Sequence, residues 1–440
     1  MAPQLAIRAS LLHFPRPPAH PAAEAEAEFF ADGILWVKDG RVKAVGEAAG
    51  LLRRLPRNLA VRSCPGCLVT PGFVDAHIHF PQTEVVASHG AELLQWLEAY
   101  TFPAERKFSN PIYAAEAARF FLAQLLRNGT TTALVFATVH KESVEAFFRE
   151  AEARNMRMIA GKVLMDRNAP EDLRDTADSG YRDSRALIEK WHGRSRLHYA
   201  VTPRFAVTSS AAQLSAAGKL LREFPGVRLH THLSENRAEV ELVARLFPEA
   251  GDYLDVYDRH GLVCARSVFA HGIHLCGREY RRLAEAGSAL AFCPTSNLFL
   301  GSGLFSLKKA ATAGVQVAAA TDIGGGTSFS MLRTLAEAYK VTRLLGDELT
   351  PLKSFYLATL GGAQALGLEQ KIGSFAPGKE ADFIILDPKT SPLLQHRLRH
   401  AANLAEQLFA YIILGDANCV RETWIAGRRE FLGEGFGDAE

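Results

Sequence analysis

Two histidines one residue apart, His77 and His79, are the first residues in this sequence whose type and spacing suggest shared chemistry. They end the stretch from Phe73 to His79, whose alternating pattern after a Pro-Gly entry predicts a β-strand. Because strand side chains repeat every two residues, both imidazoles face the same side. Two imidazoles on one face are half of a metal site and need further ligands from elsewhere in the chain.

Further metal-capable residues fall at the ends of other predicted strands. They are His230 and His232 on one strand, His271 on the next, and Asp322 at the end of the last. Three or four nitrogen and oxygen ligands around an open position are what a catalytic zinc requires. We interpret His232 as the ligand and His230 as packing inside the fold, with His274 on the surface or behind the ligands.

Glu235 lies three residues after His232, where the strand gives way to a loop. A carboxylate at this place can reach a substrate beside the metal and move protons. The sequence therefore predicts a metal-assisted reaction with an acidic group next to the metal.

The elements that must position these residues alternate between apolar strands and amphipathic helices. Eight strands and their helices over about 250 residues are typical of a (β/α)8 TIM barrel, whose active site lies at the carboxyl ends of the strands. The predicted strands are Gly72–His79, Thr131–Thr138, Met156–Met165, Arg196–Pro203, Val227–His232, Ser267–His271, Ala289–Cys293 and Val315–Asp322.

The two ends of the chain are predicted to form short strands and turns. We expect residues 1–70 and 373–440 to pair into one small β-sandwich domain beside a barrel of residues 71–372, because neither end is long enough for a good core alone. The Asp39-Gly40 pair between two apolar runs is a hairpin signal.

Composition excludes several classes of function. The 440 residues are 48% hydrophobic and 22% charged, as in an ordinary globular protein. Lys and Arg total 50 against 48 Asp and Glu, so no charge excess indicates nucleic acid or an acidic membrane. No apolar run approaches the roughly 20 residues that span a bilayer. Six scattered cysteines suit a reducing compartment, and we expect a cytoplasmic protein.

The motifs together resemble the amidohydrolase superfamily over nearly the whole chain. The strand ending in His77 and His79 and the Thr321-Asp322 pair are general to that superfamily. More specific stretches resemble its guanine deaminase branch, and these are Phe80-Pro81-Gln82, Leu94 to Glu105, Thr202-Pro203-Arg204-Phe205, His232 to Arg237, Cys293 to Leu298 and Thr321 to Gly326.

The resemblance implies one zinc ion per chain, held by His77, His79, His232, His271 and Asp322. It also implies that Gln82, Arg204 and Phe205 hold the purine. Arg204 can donate to O6 or N7 of guanine, Gln82 can donate and accept, and Phe205 can stack on the flat base.

The implied reaction is hydrolytic deamination of guanine to xanthine and ammonia in purine catabolism or salvage. Asp322 is expected to accept a proton from the attacking water, and Glu235 to protonate the ring nitrogen beside the amino-bearing carbon. The resemblance further implies a cytosolic homodimer.

Two other kinds of metal site can be weighed from the sequence. Relatives with two metals carry a carbamylated lysine at the end of strand four, but our predicted fourth strand has no lysine, and Lys162 falls on the third. This favours a single metal. Zinc deaminases of another fold carry H-x-E followed by P-C-x-x-C. His140-Lys141-Glu142 matches the first half, but the second half does not follow.

Three alternative functions stay open at this point. The nearest is a deaminase of the same superfamily acting on another amino-heterocycle, such as a pterin or an oxidised purine. A hydrolase of cyclic amides would be expected to need a second metal. An alternative of a different class is a barrel that has lost catalysis and serves as a scaffold, which is disfavoured because all the ligands and Glu235 are present.

Overall fold

A parallel eight-stranded barrel occupies the middle of the chain. The computed structural model describes residues 4–90 and 92–434. The barrel strands, labelled β1 to β8, are Phe73–His79, Thr130–Phe136, Arg157–Gly161, His198–Pro203, Arg228–Leu233, Ser267–His271, Ala289–Phe292 and Gln316–Ala319. They hydrogen-bond in chain order, and a short strand, Val163–Leu164, continues β3 beside β4. All eight predicted strands, and with them the barrel, are confirmed.

Backbone hydrogen bonds also join the two ends of this sheet. The amide of His79 donates to the carbonyl of Ile323 at 2.8 Å, and the amide of Asp322 donates to the carbonyl of His77 at 2.9 Å. These bonds bring the end of β1 directly beside the segment that follows β8. The metal-capable residues at the two ends of the barrel sequence therefore meet.

Helices cover the outside of the barrel. Pro111–Arg127 illustrates why, because Asn110 caps its first turn and its Ala114, Ala118, Phe121, Leu122 and Leu125 side chains form one buried stripe. The other α-helices of six or more residues are Lys141–Ala153, Ala177–Trp191, Ala211–Glu223, Arg237–Leu246, Tyr253–Asp258, Gly277–Ala286, Pro294–Phe299, Leu307–Thr312, Met331–Leu344, Pro351–Leu357, Leu360–Ala365, Pro392–Arg399 and Leu404–Leu414. No helix within the described residues is long and apolar enough to cross a membrane.

A second sheet combines strands from both ends of the chain. Its order is Arg428–Leu432, Val420–Ile425, Phe383–Leu386, Val61–Pro71, Gln4–His13, Glu28–Lys38 and Arg41–Glu47. The predicted hairpin turn at Asp39-Gly40 is confirmed, and both residues have the positive φ angles of a tight hairpin turn. We propose residues 70 and 372 as the boundaries between this domain and the barrel.

Buried ion pairs join the barrel to this second sheet. Arg157 on β3 and Arg196 just before β4, here called the arginine pair, lie at the amino end of the barrel. The Glu380 carboxylate accepts a hydrogen bond from Nη2 of Arg157 at 2.5 Å and another from Nη2 of Arg196 at 2.6 Å. Asp382 pairs with Arg196 as well. The segment that leads into Phe383–Leu386 is thereby held under the barrel.

Two helices lie where the sequence predicted only strands and turns. Pro392–Arg399 and Leu404–Leu414 follow the strand Phe383–Leu386. The second of them packs on the barrel helix Met331–Leu344, with the Phe409 and Tyr339 rings 4.8 Å apart. Its run LAEQLFAYIIL is apolar on several sides because the helix packs against three others, namely Met331–Leu344, Pro351–Leu357 and Pro392–Arg399, so no single apolar face indicates a helix.

Candidate active site

Three imidazoles and one carboxylate converge at the carboxyl end of the barrel. The Nε2 atoms of His77 and His79 lie 3.1 Å apart, and Nε2 of His232 lies 3.3 Å from that of His79. Asp322 places Oδ1 3.0 Å from His77 Nε2 and 3.3 Å from His79 Nε2. These side chains are buried, and their candidate ligand atoms all lie within 4.8 Å of one another.

His271 and Glu235 border this group. Nε2 of His271 is 3.4 Å from Oε2 of Glu235 and 3.7 Å from Oδ2 of Asp322. It is a buried nitrogen with no hydrogen-bond partner. Ser302 donates from Oγ to Oε1 of Glu235 at 3.1 Å, and this serine had no predicted role. The sequence-predicted ligands and Glu235 thus share one small volume.

The outer nitrogens of two predicted ligands, His232 and His271, are fixed by hydrogen bonds. Nδ1 of His232 donates to the carbonyl of Arg204 at 2.7 Å, and Nδ1 of His271 donates to Oδ1 of Asn297 at 2.9 Å. These bonds select the tautomer in which Nε2 is a lone-pair donor facing the centre. Inward Nε2 atoms, the unpartnered His271 nitrogen and a carboxylate fit a divalent metal such as zinc.

His230 lies inside the barrel, as predicted, but it also contacts the predicted ligand His77. Its Nε2 is 2.7 Å from Nδ1 of His77, and both residues are fully buried. If His77 binds a metal through Nε2, its Nδ1–H donates to His230. His274 is partly exposed and donates from Nε2 to the carbonyl of Ser302, behind Glu235.

Three residues at or just after the ends of barrel strands have a left-handed backbone conformation. His271 has φ 71°, Asp322 has φ 51° and Ser234 has φ 49°. Non-glycine residues adopt this conformation infrequently, and such residues cluster at functional sites. Asp75 secures the same region by accepting hydrogen bonds from the backbone and hydroxyl groups of Thr321, next to Asp322.

A cleft that is open to solvent lies over these residues. Its walls include the three residues predicted to hold a purine, namely Gln82, Arg204 and Phe205. All three are buried, and the Phe205 ring lies 6.3 Å from that of His232. Apart from these three and the candidate ligands and Glu235 beneath them, the lining residues lack polar side chains and are Leu93, Leu97, Leu300, Gly325 and the mainly apolar Trp96.

The electrostatics of the two central carboxyl groups differ. Burial raises the pKa of Glu235 to about 8, and the nearby charge of Asp322 acts in the same direction. Burial alone would also raise the pKa of Asp322, but His77, His79 and His271 hold that pKa well below its usual range. Two carboxyl groups with opposite shifts are a pattern found in acid–base chemistry.

A barrel with histidine and carboxylate ligands gathered at the carboxyl ends of its strands defines the class of metal-dependent barrel hydrolases. Residues 68–429 match the Amidohydrolase family. The chain belongs to this family, which confirms the resemblance predicted from its motifs.

Individual relatives agree with this assignment. Guanine deaminase of Escherichia coli K12 is 51% identical over 424 residues, which cover 96% of this chain and 97% of that protein. A solved E. coli guanine deaminase structure is similar with a TM-score of 0.93 at 49% identity, covering 98% and 99% of the two chains. Guanine deaminase of C. acetobutylicum, solved with guanine bound in its active site, has a TM-score of 0.88 at 27% identity, covering 98% and 100%.

Proposed function

We propose that this chain catalyses the hydrolytic deamination of guanine to xanthine and ammonia. The observation that carries the proposal is one cleft in which Arg204, Gln82 and Phe205 face the inward imidazoles, Asp322 and Glu235. Relatives named guanine deaminase, one of them solved with guanine in its active site, support the choice of substrate. The chain is thus a hydrolase of an amino-bearing heterocycle.

The proposed cofactor is one zinc ion held by His77, His79, His232, His271 and Asp322. A bound zinc ion supplies a nucleophile at neutral pH by lowering the pKa of a water molecule, from 15.7 to about 7. A single ion is supported by strand β4, which contains no lysine, and by the place of Lys162 beside β3. Nζ of Lys162 instead pairs with Asp175 at 2.5 Å.

The base is held by groups of complementary chemistry. Arg204 donates to O6 or N7 of guanine, and Gln82 can pair with a ring N–H or a ring acceptor through its amide. Phe205 offers an apolar face to the flat ring. These contacts orient the base so that its amino-bearing carbon faces Glu235 and Asp322.

Proton transfer is divided between the two carboxyl groups. Asp322 accepts a proton from the attacking water as the new C–O bond forms. Glu235 protonates the ring nitrogen beside the amino-bearing carbon, which offsets the charge that develops there. The C–N bond then breaks as Glu235 helps to pass the proton held by Asp322 to the departing amine, which leaves as ammonia. The remaining hydroxyl proton returns to Glu235 as the new carbonyl forms. Ser302 keeps the Glu235 carboxyl in place through its hydroxyl group.

The proposal extends to a homodimer in the cytoplasm. The homodimer follows from the family resemblance, and light scattering of the purified protein measures it directly. The cytoplasmic location agrees with the six cysteines, all of which are free thiols in the structure.

The test is an ultraviolet assay of the purified protein with guanine, combined with elemental analysis for metal. Production of xanthine by a protein with about one zinc per chain is the expected result. Metal without guanine turnover would refute guanine as the substrate and favour another amino-heterocycle, which a panel of pterins and oxidised purines would identify. Neither metal nor turnover would favour the scaffold alternative.

A further inference from the structure

Glu105 is a fully buried carboxylate for which the proposed reaction has no use. It belongs to the short helix Phe102–Arg106, within the stretch Leu94 to Glu105 that distinguishes this branch of the superfamily. Its two carboxylate oxygens accept from Nη1 of Arg204 at 2.8 and 2.9 Å. Glu105 itself is not among the residues that line the cleft, so it stands behind Arg204.

This pairing leaves most of the guanidinium group available. Within the part of the chain that the structure describes, Arg204 donates its side-chain hydrogen bonds through Nη1 alone. Its Nε and Nη2 groups therefore remain for a ligand in the cleft that Arg204 lines. Phe102, three residues before Glu105, places its ring 5.6 Å from the guanidinium carbon. Phe102 and Glu105, on one face of the same short helix, thus both contact Arg204.

The same carboxylate lies close to a second residue of the cleft. Oε1 of Glu105 is 3.5 Å from the amide nitrogen of Gln82. The amide oxygen of Gln82 in turn accepts from the backbone of Gly324 at 3.3 Å. Glu105 therefore lies behind both polar side chains that are proposed to hold the base.

Charge explains why a carboxylate is needed there. Arg204 is 2% exposed and Glu105 0%, so neither charge has bulk water as a partner. A buried guanidinium group without a carboxylate partner is energetically unfavourable, and its side chain would reorient to hydrogen-bond to other acceptors. We propose that Glu105 is a positioning residue that holds Arg204 at the wall of the cleft, where Arg204 binds the purine. This inference rests on the proposed deamination of guanine.

A residue that only stabilised the fold would have a different effect from a positioning residue. Loss of positioning should raise KM for guanine and leave kcat nearly unchanged, because binding of substrate and transition state is weakened together. The effect should also depend on Arg204, since Glu105 acts through it. A double-mutant cycle measures that dependence.

The experiment compares the wild type with Glu105→Gln, Arg204→Gln and the double variant in steady-state guanine deamination. Glu98→Gln is the matched control, because Glu98 is exposed on the same segment and loses the same charge. Each protein is also analysed for zinc content and thermal unfolding. All proteins are assayed in their metal-loaded form.

For Glu105→Gln we expect KM to rise roughly 30-fold or more, which is the lower end of what breaking a buried charge pair costs. The kcat should stay within about threefold of the wild-type value, and the zinc content should not change. In the Arg204→Gln background the same substitution should change KM by less than about threefold. Glu98→Gln should match the wild type. Effects that add in the double variant, or a fall in kcat with no change in KM, would overturn the role assigned to Glu105.

Two further outcomes have defined meanings. If Glu105→Gln does not fold, Glu105→Asp replaces it, because aspartate retains the charge but shortens the reach, and an intermediate rise in KM at constant kcat is expected. A wild type that leaves guanine unchanged would refute the proposed function and this inference with it. An active wild type with additive effects refutes the role of Glu105 alone.

Discussion

Replacing Glu235 with Gln should separate metal binding from proton transfer. Glutamine has nearly the same shape, and its amide oxygen can still accept the hydrogen bond that Ser302 donates at 3.1 Å. It cannot deliver the proton required at the ring nitrogen. The perturbation therefore removes one chemical function and leaves the packing around His271 in place.

The size of the effect follows from what else lines the cleft. Among the described residues, Asp322 is the other carboxyl group there, and it is already placed between His77 and His79. No substitute acid is within reach, so the loss should approach the upper part of the range for general acid–base catalysis, about 10⁴-fold in kcat. This corresponds to about 5 kcal/mol of transition-state stabilisation.

The assay follows guanine by ultraviolet absorbance and released ammonia by a coupled enzyme, with zinc measured on the same samples. Glu241→Gln, an exposed change on the helix that follows, is the control and should retain wild-type activity. A Glu235→Gln protein with full zinc content and a kcat within about tenfold of the wild type would refute the assigned role.

Three further perturbations test the surroundings of the site and the fold. His230→Phe removes the hydrogen-bond partner that lies 2.7 Å from Nδ1 of His77, so the affinity for zinc should fall about 10–100-fold. Chelator competition measures that affinity, and an unchanged value would contradict the role of His230. Burial lowers the pKa of His198 from 6.5 to about 3. The neutral form of His198 therefore contributes its full stabilisation above about pH 6.5, and this contribution is lost as the pH falls towards 3. His198→Gln should therefore flatten the loss of unfolding free energy between about pH 7.5 and 5, and an unchanged slope would exclude His198 as its source. Glu380→Gln leaves the arginine pair poorly compensated and should lower the free energy of urea unfolding by about 3–5 kcal/mol, whereas a loss below about 1 kcal/mol would mean that the pair is not a strong link.

The barrel was predictable because its strands are separate apolar runs with helices between them. Each run is bounded by turn residues, and the alternation indicates a parallel sheet without any knowledge of its partners. The helices Pro392–Arg399 and Leu404–Leu414 were not predictable in the same way. The first buries only Leu394, and the second packs against several helices, one contact being Tyr339 against Phe409, so neither shows the regular apolar stripe of an amphipathic surface helix.

The candidate ligands were predictable for a related reason. A barrel places the carboxyl ends of all strands on one face, so residues at those ends must approach one another wherever they stand in the sequence. The side chains that hydrogen-bond to those candidate ligands and to Glu235 follow no comparable rule of position in the sequence. Asn297 and Ser302 reach His271 and Glu235 from the helix and loop after β7, and nothing in their spacing indicates it.

The site thereby divides between two parts of the structure. The proposed chemistry depends on residues that end or directly follow strands β1, β5, β6 and β8, which are held by the barrel itself. The proposed recognition of the base depends on Arg204, which follows β4, and on the segment that contains Gln82 and Glu105, which connects β1 to its helix. Loop segments change more readily than barrel strands. A change of substrate within this fold should therefore begin with the Arg204–Glu105 pair and leave the metal ligands as they are.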